Sequence, residues 1–225
     1  MASNLPFDSK VVVVTGAAGG LGRAVAQEFA SRGATVVGLD RQGTDVLKID
    51  LLSTPDVNRV IGEVVARHKK IDVLCNIAGG FRMGKPVHET PDEDWDAMFA
   101  INVRAALHAC RAVVPHMLAG GGGKIVNIGA FAAQRGAASM GAYTASKAAL
   151  IRLTESMAAE LRERNINVNC VLPTVLDTPQ NRADMPSADP RRWVATGDLA
   201  KVIVFLASEE ARAIHGAAIP VTGLS

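Results

Sequence analysis

Hydrophobic positions recur along the chain in two alternating rhythms, one strand-like and one helical. Val11–Val14 is apolar and β-branched at every position, the pattern of a strand buried on both faces of a parallel sheet. It runs into a glycine-rich turn, after which Ala24, Val25 and Phe29 resume at helical spacing. The alternation then repeats. Ala34–Leu39 and Val46–Ile49 read as strands, and Ser53-Thr-Pro-Asp56 starts a helix that runs to about His68 with Val57, Val60, Ile61 and Val64 on its apolar face. Ile71–Cys75 is the next strand. Thr90-Pro-Asp-Glu93 has the form of a capping box and opens a helix carrying Trp95, Met98, Phe99, Ile101 and Asn102 towards Pro115 and His116. Strand Lys124–Ile128, a helix from Tyr143 to about Arg164, a helix Asp198–Ala207 and a strand Ala217–Val221 complete the series. Such alternation predicts an α/β fold: a single doubly wound parallel sheet of seven strands with helices on both faces.

Composition narrows this picture. The 225 residues, 48% hydrophobic with no compositional break, suit one domain spanning 1–225. Net charge is +2 and the bases are interspersed with acids, so no stripe points to nucleic acid. The valine run is too short to span a bilayer, and no membrane partner is expected. The start, Met-Ala-Ser-Asn-Leu-Pro-Phe-Asp, shows no secretion signal. Cys75, Cys110 and Cys170 are odd in number and far apart, which reads as buried reduced thiols and a cytoplasmic location. The histidines lack ligand spacing, so no metal is expected.

The turn Thr15-Gly-Ala-Ala-Gly-Gly-Leu-Gly22 carries the first candidate chemistry. A strand feeding a glycine turn that opens a helix lets backbone approach a pyrophosphate, and the helix N-terminus offers free N–H groups. Asp40 ends the second strand, where an acid would accept hydrogen bonds from both ribose hydroxyls and repel a 2′-phosphate; the competing reading is a solvated acid at a strand end. Arg41 follows it and softens that preference, and Gly19 leaves the turn without a basic side chain for a phosphate. The balance favours NAD, with NADP as the alternative. Asp50 is placed beside the adenine.

Tyr143-Thr-Ala-Ser-Lys147 puts a phenol and an ammonium on one helical face. A nearby ammonium favours phenolate and is expected to lower the tyrosine pKa towards neutrality, suiting it to exchange a proton while hydride moves. With the glycine turn on the same chain, the sequence resembles the short-chain dehydrogenase/reductase family over nearly its whole length. The resemblance rests on Thr15 to Gly22, Asp40, Asp50-Leu51, Asn76 with Ala78-Gly79, Asn102-Val103, Tyr143 with Lys147, and Pro173 with Thr178. It implies a Rossmann-type dinucleotide domain with a small-molecule carbonyl or alcohol substrate, and a homodimer or homotetramer. It also implies roles: Tyr143 as acid/base, Lys147 tuning it and holding the nicotinamide ribose, and Asn102 relaying protons. Thr15, Gly16, Gly20, Leu21, Gly22, Asp40, Arg41, Asp50, Leu51, Asn76, Ala78 and Gly79 would hold the cofactor, with the segment of Pro173, Val175, Leu176 and Thr178 gripping the nicotinamide.

The chain departs from that family at several points. The position of the family's serine, thirteen before the tyrosine, is Ala130, which cannot donate to a developing oxyanion; Ser139 is a candidate substitute or an ordinary loop serine. Ile77 and Thr174 replace a second asparagine and a glycine. Cys75 to Phe81, Ala130 and Val171 to Arg182, with Met185-Pro and Trp193, resemble one branch of the family, the dihydropteridine reductases, although Asn102 does not fit that branch. A pterin reductase and a catalytically silent NAD(H) sensor are therefore alternatives. Ala130, Phe81 and Arg182 are substrate-side candidates, with Arg191 and Trp193 behind them, and Asp177–Trp193 predicts a small lid.

Overall fold

Val11–Thr15 (β1) sends its side chains alternately into two cores: Val11 and Val13 into one, Val12 and Val14 into the other, each at most 5% exposed. Four β-branched residues in succession permit that two-sided burial, each stabilising the fold by about 1.5–3 kcal/mol. The computed structural model describes residues 5–225; positions 1–4, the first half of the segment read for a secretion signal, lie outside them.

In chain order the other strands are β2 (Thr35–Asp40), β3 (Leu47–Lys48), β4 (Val73–Asn76), β5 (Gly123–Ile128), β6 (Ile166–Pro173), β7 (Leu176–Asp177), β8 (Val194–Ala195) and β9 (Ala218–Val221). Seven form one parallel sheet in the order β3-β2-β1-β4-β5-β6-β9, as predicted, while β7 and β8 pair separately beside it. β3 is shorter than expected, because its flanks Val46 and Ile49 pack into the cores. The sheet order reverses between β1 and β4, which opens a crevice at their carboxyl ends.

The helices are α1 (Gly20–Ala30), α2 (Thr54–His68), α3 (Asp92–Phe99), α4 (Ala105–Ala119), α5 (Gly141–Leu161), α6 (Pro179–Asp184) and α7 (Thr196–Leu206). Phe29 of α1 and Leu199, Ile203 and Leu206 of α7 cover one face. Val57, Val60, Ile61 and Val64 of α2, with Ala109, Val113 and Met117 of α4 and Met157 of α5, cover the other. Ser53 caps α2 as predicted, its hydroxyl accepting the Asp56 N–H at 3.4 Å. The capping box at Thr90 does not form. Pro91 precedes α3 without a side-chain cap, and Thr90 Oγ1 instead donates to Pro86 O at 3.3 Å, closing the preceding turn.

Between α3 and α4 the helix widens into a π turn, Ala100–Arg104, which carries Asn102. The continuous stretch Asp92–Ala119 is long and apolar enough in composition to cross a membrane, yet Ala105, Ala109, Cys110, Val113 and Met117 within it pack into the core shared with α2.

Candidate active site

The carboxyl ends of the strands enclose one cleft of about 1030 Å3. Its first bank is the turn after β1. Gly16 lies in the left-handed region (φ +65°), and a Cβ there would stand 2.9 Å from Ala78 backbone atoms. At Gly22 a Cβ would meet Gly16 O at 2.1 Å, so any side chain would separate α1 from the turn. No side chain caps α1 and no acid occupies its first turn, whereas Asp56 stands in the first turn of α2. The first N–H groups of α1 are therefore open to an outside anion such as a pyrophosphate. Gly16, Gly20, Leu21 and Gly22 all line the cleft. Thr15 does not: it is buried behind the turn, its Oγ1 accepting the Ile77 and Ala78 N–H groups at 3.1 Å each, and so ties the end of β1 to the loop after β4.

Asp40, Arg41, Asp50 and Leu51 line the cleft beside the ends of β2 and β3. Asp40 Oδ2 accepts the Ala18 N–H at 3.0 Å, which brings its carboxylate against the glycine turn. Arg41 pairs with Asp50 at 3.2 Å. These contacts fit a ribose partner at Asp40 and a cofactor of the dinucleotide type lying along the turn.

Ala78 and Gly79 line the middle of the cleft. Asn76 is buried in the sheet instead, donating to Asn127 Oδ1 at 2.9 Å; Asn127 in turn donates to Thr154 Oγ1 at 2.9 Å, so the chain of amides braces β4, β5 and α5. Asn102 is likewise behind the wall. Its Oδ1 accepts the Gly80 N–H and its Nδ2 donates to Gly80 O, each at 3.0 Å, with a further bond to Ser146 Oγ at 3.1 Å. Ser146 Oγ donates to Tyr143 O at 2.8 Å. Asn102 and Ser146 thus clamp the loop after β4 to the first turn of α5; Ser146, invisible in the motif, is a positioning residue found only from the fold.

Tyr143 and Lys147 both open into the cleft one turn apart on α5. The Phe81 ring stands edge-on to Tyr143, centroids 4.9 Å apart at 89°. Burial pushes the Tyr143 phenol up to about 12, not down towards neutrality as the spacing with Lys147 suggests. The reason is the direction of the ammonium: Lys147 Nζ, itself buried, donates to Ile128 O at 2.7 Å. Desolvation lowers Lys147 to about 8.

The far bank is Pro173, Val175 and Leu176, with Ala130 and Phe81 at the substrate end. Thr178 is outside the wall. It caps α6, accepting the Asn181 N–H at 3.1 Å, and its methyl packs 3.3 Å from where a Gly20 Cβ would lie. Arg182 does not reach the cleft: it forms a bidentate pair with Asp177 at 2.6 and 2.8 Å on the exposed face of α6. Arg191 pairs with Asp189, and Trp193 also lies outside the wall. Ser139 is half-buried at φ +58°, its carbonyl accepting the Gly84 N–H at 2.8 Å, and does not line the cleft. In their place Met83, Phe131, Arg135, Met140 and Met185 line the substrate end. A position within the loop between β5 and α5, downstream of Ala130, is the one signal that could have singled out Arg135.

Sheet order, glycine cradle and the Tyr143–Lys147 pair define a doubly wound dinucleotide-type α/β protein. The family model described as short chain dehydrogenase matches residues 10–188. The 2-(R)-hydroxypropyl-CoM dehydrogenase of Xanthobacter autotrophicus is 35% identical over 96% of this chain and 98% of its own. The NAD-dependent glycerol dehydrogenase of Listeria innocua is 33% identical over 95% and 92%. The carveol dehydrogenase of Mycobacterium avium, solved in complex with NAD, superposes with a TM-score of 0.89 at 26% identity, covering 97% of this chain and 98% of that one. The chain belongs to the short-chain dehydrogenase/reductase family and is an oxidoreductase of that family. The pterin and sensor alternatives find no support in these relatives.

Proposed function

We propose that the protein transfers hydride reversibly between NAD(H) and a carbonyl or alcohol carbon of a small molecule, with Tyr143 exchanging the proton. The observation that carries this is the opening of Tyr143 and Lys147, one helical turn apart, into the same cleft as the glycine turn and Asp40. Bound nicotinamide supplies the hydride chemistry. The chain's residues do the rest. Tyr143 Oη holds a proton that burial keeps in place, its pKa pushed up to about 12, and gives it to a carbonyl oxygen as negative charge develops there. Lys147 holds the ribose and is the one cation deep enough to draw the phenol down when it turns from Ile128 O. Phe81 orients the Tyr143 ring, and Asn102 with Ser146 fixes the loop and helix on either side. The faces of α4 and α5 are proposed to pack in a homodimer or homotetramer.

Oxidation of NADH against a panel of ketones, run alongside NAD reduction with the matching alcohols, tests the reading. Tight NADH binding with no turnover by any member would sink it. Within the same assay kcat/KM for NADH reports the free enzyme. Lys147 is charged below about pH 8 and neutral above it, so kcat/KM for NADH is expected to fall as pH rises through about 8; a profile flat to pH 10 would remove the lysine charge from cofactor binding.

Preference for NAD over NADP rests on two features. Asp40 would face a 2′-phosphate with its negative charge, and Arg41, the cation next to it, is engaged by Asp50 at 3.2 Å. Asp40→Ala is expected to raise the NADPH/NADH ratio of kcat/KM by roughly tenfold or more, and Asp50→Asn added to it, by releasing Arg41, to raise it again. An unchanged ratio in both variants would deny Asp40 its ribose role.

A further inference from the structure

Six charged side chains line the cleft: Asp40, Arg41, Asp50, Arg135, Lys147 and Asp184. Five are engaged by the protein itself. Asp40 accepts the Ala18 and Gln42 N–H groups at 3.0 and 3.1 Å, Arg41 and Asp50 pair at 3.2 Å, Lys147 donates to Ile128 O at 2.7 Å, and Asp184 accepts from Gln180 at 2.8 Å. Arg135 makes no hydrogen bond or ion pair to any described residue. It sits exposed in the loop that leads from Ala130 to α5, and the wall of the same cleft carries the apolar side chains of Phe81, Met83, Phe131, Met140 and Met185.

An unpaired guanidinium beside a largely apolar surface is matched by one kind of ligand, an apolar body with an anionic end. Methionines and aromatic rings accept a flexible hydrocarbon without demanding one shape. The guanidinium offers a planar fork of N–H donors that fits a carboxylate in two parallel bonds. Arg135 is itself exposed, so its pull on an anion acts through screening solvent and weakens as salt is added.

We propose that Arg135 is a specificity-determining residue, and that the substrate is an apolar ketone or alcohol bearing a carboxylate at the end away from the reacting carbon. This rests on the hydride-transfer reading above. It assigns the cleft two cationic stations with separate tasks: Lys147 serves the cofactor, Arg135 the anionic end of the substrate. The cleft's remaining cation, Arg41, is committed to Asp50 and belongs to the adenine side.

The test compares a series of straight-chain oxo-carboxylates with their methyl esters, using NADH and the intact protein. The acid is expected to exceed its ester in kcat/KM by roughly two- to fivefold, as for an exposed charge pair, through KM, with the advantage shrinking as salt is added. Arg135→Gln is expected to raise KM for the acids to that of the esters, and Arg135→Lys, which keeps the charge and loses the fork, to restore part of the difference. Wild-type protein that treats acid and ester alike, or an acid preference that survives Arg135→Gln, overturns the proposal. Should NADH bind while neither acid nor ester is turned over, the hydride-transfer reading fails for these carbonyls and calorimetry on the NADH-loaded protein decides the Arg135 assignment. Tighter binding of the acid, lost in Arg135→Gln, upholds it; equal binding of acid and ester overturns it.

Discussion

Tyr143→Phe is expected to lower kcat by roughly 10²–10⁴-fold, the usual contribution of a positioned proton donor, while NADH affinity stays nearly unchanged. The substitution removes one hydroxyl and keeps the ring, so the edge-on contact with Phe81 at 4.9 Å is preserved and the fold should not suffer. The loss should fall on kcat and kcat/KM together, because the proton moves only as charge develops on the substrate oxygen. Wild-type turnover in the variant would take the phenol out of the proton step. Tyr143 is the chain's only tyrosine, so its ionisation can be followed directly by ultraviolet difference absorbance. In the cofactor-free protein it should titrate near 12. A phenol already ionised near neutrality would mean that the Lys147 ammonium faces it in solution.

That titration addresses the main point at which spacing misleads. A spacing of four positions from a tyrosine to a lysine places both on one face of a helix, and the structure has them there. Spacing says nothing about where a long flexible side chain ends. Lys147 finds a carbonyl at the end of β5, contributed by a residue 19 positions away, and its charge is spent on that bond. The same limit explains Asn102, Asn76 and Thr15. Each is a polar residue in a recognisable motif, and each is buried and bonded to other parts of the protein, although the Asn76 Oδ1 is left without a partner. Motif membership marked them as important; only the fold shows that their contacts brace the cleft from behind.

The elements themselves were legible because their signals are local. Val11–Val14, the glycine turn and the apolar face of α2 each declare their burial within a few residues, and the sheet follows from their alternation. Arg135 was not legible, since its significance lies in what fails to reach it. Arg182 shows the converse: an arginine in the expected lid segment is consumed by Asp177 five residues earlier, a local pair that sequence order alone could have flagged.

Ala130→Ser is expected to raise kcat for carbonyl reduction, by up to about 10²-fold. Removing one preorganised donor from an oxyanion site costs roughly 10²–10³ in kcat, and adding one where none exists should recover a share of that. Ala130 lines the cleft and follows β5, on the same side as Tyr143. Apart from Tyr143, the one hydroxyl in the wall is that of Thr174, whose Oγ1 donates to Thr222 O at 2.9 Å. Asn181 donates its amide to Leu176 O at 2.8 Å, and Ser139 is not part of the wall. No other hydroxyl in the wall therefore stands in for the missing one. A serine Oγ at 130 adds a single heavy atom at a buried position of the wall, 4% exposed, so the variant's thermal melting should be checked beside its kcat. The gain should appear in kcat rather than KM, because the donor acts on charge that exists only in the transition state, and it should vanish when Tyr143→Phe is combined with it. An unchanged kcat would mean that the natural substrate arrives already activated, or that a backbone N–H in the Phe131 turn serves as the donor. A backbone donor would show as a loss of kcat on altering the Phe131 turn, whereas an activated substrate would leave kcat insensitive to both changes.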